Sequence, residues 1–286
     1  MKFLKYIVVL LPLFCLFSCE KELDMSQIAF KEKLVVNLLA YDNDYLSVTV
    51  NRSLNIFDST GKPAIENAKV FVTDDKGVKT KLNFDLVSQS YRSTWFPVSG
   101  VKYSLEVSWG DLSTTYSFFT IPKLSTSGKA IWKDSTGSDS VGFLTGTISF
   151  VIKDNPNERN YYEIGLFRYD EFSSEQWLNL PIIPENPELI NNQILNKDGA
   201  LLVDDGGFNG QNKLFKFTTP ANSKGTNYKY LVVIKNLSEE YYRYFKSIDN
   251  YKQQQGAFSE PSAVFTNIKG GLGICAGASV VKDTIK

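Results

Sequence analysis

KYSLEVSW at residues 102–109 and LSTTYSF at residues 112–118 are the segments that decide the fold class. In the first segment every second residue is apolar, and the second repeats this alternation with Tyr116 and Phe118 on the apolar face. A period of two is typical of a β-strand with one buried face. Gly and Asp at residues 110–111 predict a tight turn between the segments. The stretch is therefore predicted to be an antiparallel β-hairpin.

Neighbouring segments extend this pattern toward the N-terminus. Further short strands are predicted at residues 34–39, 46–50 and 68–72, the last of which ends at a turn over residues 74–77. Short strands with turns at this spacing are typical of an antiparallel sandwich. We therefore predict an all-β, mostly antiparallel chain whose N-terminal domain, residues 28–122, is an immunoglobulin-like β-sandwich.

A change of composition suggests where this domain ends. Residues 123–143 are rich in Ser, Thr, Gly and Lys and are predicted to be a linker. Residues 144–286 are predicted to form a second β-sandwich or a barrel-like domain, with strands at 147–152, 161–167, 213–217 and 228–234. This domain should carry one amphipathic helix, which begins after Ser238 and presents an apolar stripe from Leu237 to Tyr251.

The first residues predict a lipoprotein signal peptide over residues 1–18. Lys2 and Lys5 precede a short apolar run, and Ser18 stands before Cys19, which is the order of a signal peptide with a lipobox. The apolar run is shorter than the roughly 20 residues that a membrane-spanning helix needs. We expect cleavage before Cys19, attachment of acyl chains such as palmitate to the chain there, and a tether over residues 19–27. An ordinary signal peptide cut near Ser18 is the alternative.

Composition excludes several classes of function. The chain contains no histidine, which removes Ser/His/Asp and Cys/His catalysis and histidine-ligated zinc. The chain has 31 basic and 31 acidic residues, and the signal peptide takes away Lys2 and Lys5, so the mature chain would carry a net charge of about −2. A chain without an excess of positive charge offers no electrostatic surface for nucleic acid, so we expect no nucleic-acid partner. Cys275 would be the one free thiol left, and an apolar neighbourhood predicts a small buried residue rather than a nucleophile. Neither a metal nor a cofactor is expected.

One long irregular segment suggests a contact site. Residues 171–200 contain three prolines and exceed the length that compact domains normally leave irregular, so the segment should be functional or disordered. Apolar residues within it should either seal a sheet or present an anchor to a partner. We predict Trp177, Leu180 and Ile182 as candidate contacts to a ligand or partner.

Two other groups of residues allow both a chemical and a structural reading. DDGGFNG at residues 204–210 offers oxygen ligands for calcium, but it lacks the spacing of a calcium loop, and a turn is preferred. Asp154 with Glu158 would suit hydrolysis of a glycosidic bond at the right separation. A stacking platform for sugars or peptides, with half-buried packing as its alternative, would use Tyr161, Tyr162, Tyr228, Tyr230, Trp132 and Trp177.

Several short motifs, taken in order, carry a family resemblance. They are LVVN at 34–37, NAKV at 67–70, NYY at 160–162, DGGFNG at 205–210 and NIKGGLG at 267–273. Their order resembles the domain-of-unknown-function outer-membrane lipoproteins of Bacteroidota that are often encoded beside TonB-dependent receptors. The sequence departs from that pattern at Leu38 and Cys275. The resemblance implies no catalytic residues.

Two functions follow as expectations. The first is a non-catalytic lipoprotein, anchored by lipid in the outer membrane, that binds a glycan or peptide ligand or docks onto a TonB-dependent receptor for nutrient uptake. The acid-rich stretch EKELD at residues 20–24 favours the cell exterior over the periplasmic face. The second is a carboxylate-dependent glycan hydrolase tethered to the cell.

Overall fold

The structure, a computed structural model, describes residues 30–55, 58, 64–123, 127–190, 194–195, 199–221, 228–254 and 262–285. The predicted signal peptide, Cys19 and the tether lie outside the described residues. Within the described ranges, no helix has both the length and the apolar character needed to cross a membrane.

The fold is all-β and mostly antiparallel, as predicted, with one long helix among the described residues. The strands are β1 (Leu34–Tyr41), β2 (Ser47–Arg52), β3 (Lys69–Thr73), β4 (Lys79–Asp85), β5 (Ser90–Arg92), β6 (Lys102–Ser108), β7 (Thr115–Thr120), β8 (Ile131–Ser138), β9 (Leu144–Lys153), β10 (Tyr161–Tyr169), β11 (Trp177–Asn179), β12 (Ile183–Pro184), β13 (Ile194–Leu195), β14 (Leu201–Asp204), β15 (Asn212–Pro220), β16 (Tyr230–Leu237) and β17 (Leu272–Ile285). The helices are the single turn α1 (Pro187–Ile190) and α2 (Glu239–Gln253).

The N-terminal strands form a sandwich around one core. In the order β17-β1-β2-β5-β4-β3-β6-β7, neighbours are hydrogen-bonded; β1 pairs with β17 in parallel and the other pairs are antiparallel. Every second residue of β1 is buried, as an amphipathic strand requires. The shared core includes Leu34, Val36, Leu38, Val70, Val107 and Phe119. Because strands from both ends of this order enclose one core, the sheet folds over itself.

The decisive hairpin forms, but with a longer turn than predicted. β6 ends at Ser108, and the turn runs through residues 109–114. Val107 pairs with Thr115, so the buried residues of β7 are Thr115, Ser117 and Phe119. Tyr116 and Phe118 are exposed, so the prediction of their face was wrong. A shift of register by one residue moves every side chain of a strand to the opposite face.

The C-terminal strands form a second sandwich. A four-stranded sheet, β12-β15-β9-β8, packs its buried phenylalanines against β14, β10 and β16 of the larger sheet. The predicted linker at residues 123–143 contains β8, whose mostly exposed and polar side chains show no buried face in sequence. Residues Glu32–Lys286 form one compact unit by their contacts, and the division into two domains stays a prediction.

Helix α2 covers the other face of the larger sheet. Ser238 caps it, accepting a hydrogen bond from the Tyr241 amide at 3.4 Å, and the predicted helix is confirmed. Tyr241, Tyr242 and Phe245 pack into a third core with Tyr161, Leu202, Leu237, Ile274, Ala276 and Ala278.

A buried charge joins helix and sheet in this third core. Lys235 Nζ donates to Glu163 Oε1 at 2.5 Å, and the Tyr241 hydroxyl donates to Glu163 Oε2 at 3.1 Å. Burial raises the pKa of Tyr241 well above its usual range, and the adjacent Glu163 carboxylate adds to the shift. The buried carboxylate is therefore paired and hydrogen-bonded, as burial of a charge requires.

Strand β17 contributes to all three cores. Cys275 lies in the N-terminal core, Ile274 in the core under α2, and Val281 packs against the C-terminal core. A β-carbon on Gly277 would lie 2.3 Å from the Thr120 carbonyl oxygen, so only glycine lets β17 run this close to the end of β7. One strand therefore links the parts of the sheet.

Candidate functional site

A cleft of about 530 Å³ opens beside α2, at the edge of the C-terminal sandwich. Its size lies within the range of small-molecule sites. The lining residues come from α1, β14, the turn after β14, β15 and α2. They are Glu188, Leu189, Leu202, Val203, Asp204, Gly207, Phe208, Lys213, Phe215, Tyr242, Lys246, Asp249, Asn250 and Gln253.

The turn after β14 positions one wall of the cleft. Asp204 caps a 3-10 turn by accepting from the Gly206 amide at 2.9 Å. The Tyr242 hydroxyl donates to the other carboxylate oxygen of Asp204 at 3.2 Å, and Arg159 lies 3.6 Å from Asp204 Oδ1. Burial raises the pKa of Tyr242 to about 12, and the Asp204 carboxylate adds to the shift. The phenol therefore stays protonated near neutral pH and ties α2 to the turn.

Asp205 fixes the same turn from behind. Its carboxylate is buried and accepts from the Asn160 amide at 2.7 Å, while its own amide donates to the Asn160 carbonyl at 3.1 Å. Burial raises the pKa of Asp205, against the effect of the Asn160 hydrogen bonds. The motif at residues 204–210 is thus a capped turn, as preferred from sequence. Among the described residues no cluster of three or more acidic or Cys side chains is placed to hold a metal.

The floor and the rim of the cleft differ in character. Leu202, Phe208 and Phe215 make an apolar floor. On one rim Lys213 and Glu188 form an ion pair. On the other rim, the Lys246 ammonium lies 5.6 Å from the centre of the Tyr242 ring. An apolar floor beneath cationic, acidic and amide side chains can hold an amphiphilic ligand.

Acidic groups on this side of the molecule are already engaged with protein donors. Asp249 accepts from Gln253 Nε2 at 2.7 Å. Asp154, one of the acids suggested for glycoside hydrolysis, is buried and accepts from the Tyr162 hydroxyl at 2.5 Å and the Gly210 amide at 2.7 Å. Glu158 accepts from Asn155 Nδ2 at 2.7 Å. These carboxylates hold the fold in place.

The three residues predicted as partner contacts differ in burial. Leu180 and Ile182 are 8% and 7% exposed and belong to the C-terminal core, so their prediction as surface contacts was wrong. They seal the space between the sheets because β11 and β12 cover the sandwich edge. Trp177 is half-buried and meets the Tyr169 ring edge-on at 5.2 Å. Its contact with a partner stays a prediction, and Cys19 lies outside the described residues.

The suggested aromatic platform is not formed. Tyr162 and Tyr230 are buried in the C-terminal core, and Tyr161 stacks on Tyr242 at 4.7 Å in the core under α2. Cys275 is fully buried, as predicted, and burial raises the pKa of its thiol. Sequence reasoning missed the cleft, although the polar face of α2 and the DGG turn were its two signals.

Comparison with known proteins identifies a family for this fold. The family "Domain of unknown function (DUF4249)" matches residues 20–284. A search of curated proteins found no match. Among solved structures, one similar chain comes from "Complete structure of manganese lipoxygenase of Gaeumannomyces graminis and partial structure of zonadhesin of Komagataella pastoris"; it is 12% identical over 71% of this chain and 88% of that chain, with a TM-score of 0.19, too low to indicate a shared fold. With nearly its whole length matched, the chain belongs to the DUF4249 family.

Proposed function

We propose that this protein is a non-catalytic lipoprotein, anchored through Cys19 in the outer membrane and facing the cell exterior, that binds a ligand and docks onto a TonB-dependent receptor. The lipobox before Cys19 supports the anchor, because several acyl chains at one site hold a protein durably to a bilayer. The motif resemblance supports the receptor as partner.

The observation that carries the binding role is the cleft beside α2. Its volume and its apolar floor suit a small amphiphilic ligand, and its rim offers Lys246 beside the Lys213–Glu188 ion pair. The carboxylates around it accept hydrogen bonds from Gln253, Tyr242 and backbone amides, which suits a holding site better than proton transfer.

Fractionation of cells tests the anchor. We expect the wild-type protein in the outer-membrane fraction and Cys19→Ala either unprocessed or released, because the thiol of Cys19 carries the only proposed anchor. Cys15→Ala is the matched control, since it removes a nearby cysteine that leaves with the signal peptide. Mass spectrometry of the mature N-terminus reports the lipid directly. Correct processing and membrane retention of Cys19→Ala would contradict the proposal.

Affinity purification tests the receptor. The tagged full-length protein, extracted in mild detergent, should retain the TonB-dependent receptor encoded nearest to its gene. A receptor that never co-purifies with the wild-type protein rejects docking, whereas the anchor would stand on its own result.

A further inference from the structure

One face of the N-terminal sandwich concentrates positive charge, although the chain as a whole has 31 basic and 31 acidic residues. Where the adjacent strands β4, β3, β6 and β7 pair with one another, one side of the sheet points into the core and the other faces outward. We call this outward side, together with the neighbouring Lys269, the basic face. Its charged residues are Lys69, Lys79, Lys81, Lys102, Lys269 and Glu106.

The register of the strands places these side chains next to one another. Glu106 pairs with Phe71 on one side and with Tyr116 on the other. Lys81 lies opposite Phe71, and Lys269 lies opposite Tyr116 in an isolated bridge. Residues directly opposite each other on antiparallel strands share one face of the sheet. This row therefore begins and ends with a lysine and holds two aromatic rings between them.

Most of the positive charge on the basic face is not neutralised. Lys79 pairs with Glu106 at 2.8 Å, which engages the one acidic residue of the face. Lys69, Lys81 and Lys269 are exposed, and none of the ion pairs among the described residues involves them. Five lysines against one glutamate give the basic face a net charge of +4.

The acidic residues nearest in sequence lie at the ends of these strands, outside their paired region. Asp74 and Asp85 accept hydrogen bonds from backbone amides of their own turns. Lys76 shares the turn of Asp74, and Arg92 interacts electrostatically with Asp85. Salt screens charges over about 8 Å, so the acids weaken the attraction of an anion at the strand ends more than in the middle of the face. The acids at the ends are Glu66, Asp74, Asp75, Asp85 and Asp111.

Exposed aromatic rings lie among the lysines. Tyr116 and Phe118 are 48% and 50% exposed. The Lys102 ammonium lies 5.1 Å from the centre of the Phe118 ring, and the Lys79 ammonium lies 4.5 Å from that of Phe71. Lysines and aromatic rings together are typical of surfaces that lie at a bilayer, where the ammonium meets the headgroups and the ring meets the upper acyl chains.

We propose that the basic face docks onto a bilayer with anionic headgroups. Its biological setting rests on the proposed anchor at Cys19, but it needs neither the receptor nor a ligand in the cleft. A protein is the less suitable occupant, because lysine is depleted from protein interfaces and arginine is enriched there, and the paired strands carry no arginine on this face. Lysine offers a hydrated point charge without fixed geometry, which suits a fluid layer of headgroups.

The position of the basic face along the chain agrees with a membrane surface. The face belongs to the sandwich that contains β1, which starts at Leu34. The chain from Cys19 to Leu34 reaches about 50 Å when fully extended. An anchor at Cys19 would therefore keep this sandwich close to the bilayer.

Vesicle binding tests the proposal on residues 20–286, which contain the whole described fold and lack the acylated cysteine. Co-sedimentation is measured with vesicles of phosphatidylcholine alone and with vesicles that contain about one third phosphatidylglycerol. We expect binding to the anionic vesicles only, and weaker binding as the salt concentration rises. Equal binding to both kinds of vesicle, or binding to neither, would overturn the proposal.

Charge variants locate the contact. We expect Lys69→Gln combined with Lys81→Gln to weaken vesicle binding about thirtyfold, because each lysine near an anionic surface contributes about fivefold. Lys153→Gln combined with Lys252→Gln is the matched control, since it makes the same change in net charge at exposed lysines outside the basic face. Equal weakening by the two pairs would reject the basic face as the contact.

Aromatic variants and a soluble polymer distinguish a bilayer from other anions. Phe118→Ala should weaken vesicle binding about fivefold, because the ring leaves water for the bilayer, whereas Phe172→Ala, at a ring 93% exposed on the other sandwich, should not. Binding of polygalacturonate without binding of vesicles would assign the face to an acidic polymer and overturn the proposal. Because the protein tested carries no acyl chain, a negative result here leaves the proposed anchor standing.

Discussion

Tyr230 and Tyr242 link the stability of the fold to alkaline pH. Burial raises the pKa of each phenol from 10.0 to about 12. The folded state therefore holds these protons more tightly than the unfolded state. Their stabilising effect is complete below about pH 10 and is lost as the pH rises through about 12. We expect the melting temperature, measured by circular dichroism, to fall as the pH rises from about 10 to about 12.

Tyr242→Phe provides the control for that prediction. The variant loses the hydrogen bond to Asp204 but also loses a titrating group, so its melting temperature should fall less steeply between about pH 10 and 12 than that of the wild type. An equally steep decline in the variant would show that other groups cause the alkaline unfolding.

Trp177 separates a structural from a docking role for the segment after β10. Its ring meets only the edge of Tyr169 among the aromatic contacts that the structure describes, at 5.2 Å. As a partner contact, Trp177 predicts that Trp177→Ala lowers receptor retention and leaves the melting temperature unchanged, because truncation of a binding hot spot costs about 2 kcal/mol or more. Thermal melting and affinity purification measure the two effects. An earlier melt with retention unchanged would instead show that Trp177 only packs against its own sandwich.

Residues of short elements were the hardest to predict. β11 and β12 are too short for any period to appear in sequence, so the segment around Leu180 and Ile182 was interpreted as irregular. Apolar residues in such a segment are compatible with a surface anchor and with a sealed edge. Burial, which decides between them, depends on the position of the second sheet.

At the scale of elements, β17 offers a steric test. A β-carbon on Gly277 would lie 2.3 Å from the Thr120 carbonyl oxygen and 2.8 Å from Ile121 Cδ1. We expect Gly277→Ala to lower the free energy of unfolding by about 2 kcal/mol or more, because backbone atoms must separate. Gly207→Ala is the control, since nothing lies within 4 Å of its added β-carbon. Equal chemical denaturation curves for both variants would contradict this account.

Elements with one buried face were the ones that sequence predicted well. Alternation revealed β2 and β6, and the Ser238 cap with its apolar stripe revealed α2. β17 offers no such period, because its central residues are buried on both faces and many are small. The register of the hairpin could not be predicted either. The turn over residues 109–114 is longer than expected, so the residues of β7 that were predicted to be buried are exposed.

For the whole molecule, the pairing of β1 with β17 predicts that residues 28–122 do not fold alone. Without β17 the first strand loses one hydrogen-bonded neighbour, and the N-terminal core loses Ile268 and Cys275. We expect this fragment to melt without a cooperative transition and to regain one when a peptide of residues 267–285 is added. Calorimetry measures both states. A cooperative transition of the fragment alone would establish an independent domain.

The overall class was accessible to sequence because alternation and turn residues are local signals. The joining of the first strand to the last was not, because a single sequence carries no record of which distant segments pair. The cleft shares this limit, because Lys246 on α2 and Phe215 on β15 line it together only through the packing of separate elements. The family match covers the chain but assigns no residue in the cleft.

The flanking of β1 also determines how the fold responds to force. β1 has a ladder on each edge, antiparallel with β2 and parallel with β17. Tension applied at the N-terminal end of β1 runs along the strand and shears both ladders, loading many hydrogen bonds together. Strands peeled from a free edge lose their bonds one after another. If a tether precedes β1, its tension therefore acts on a strand that is paired on both edges, and the load passes into the sheet on both sides.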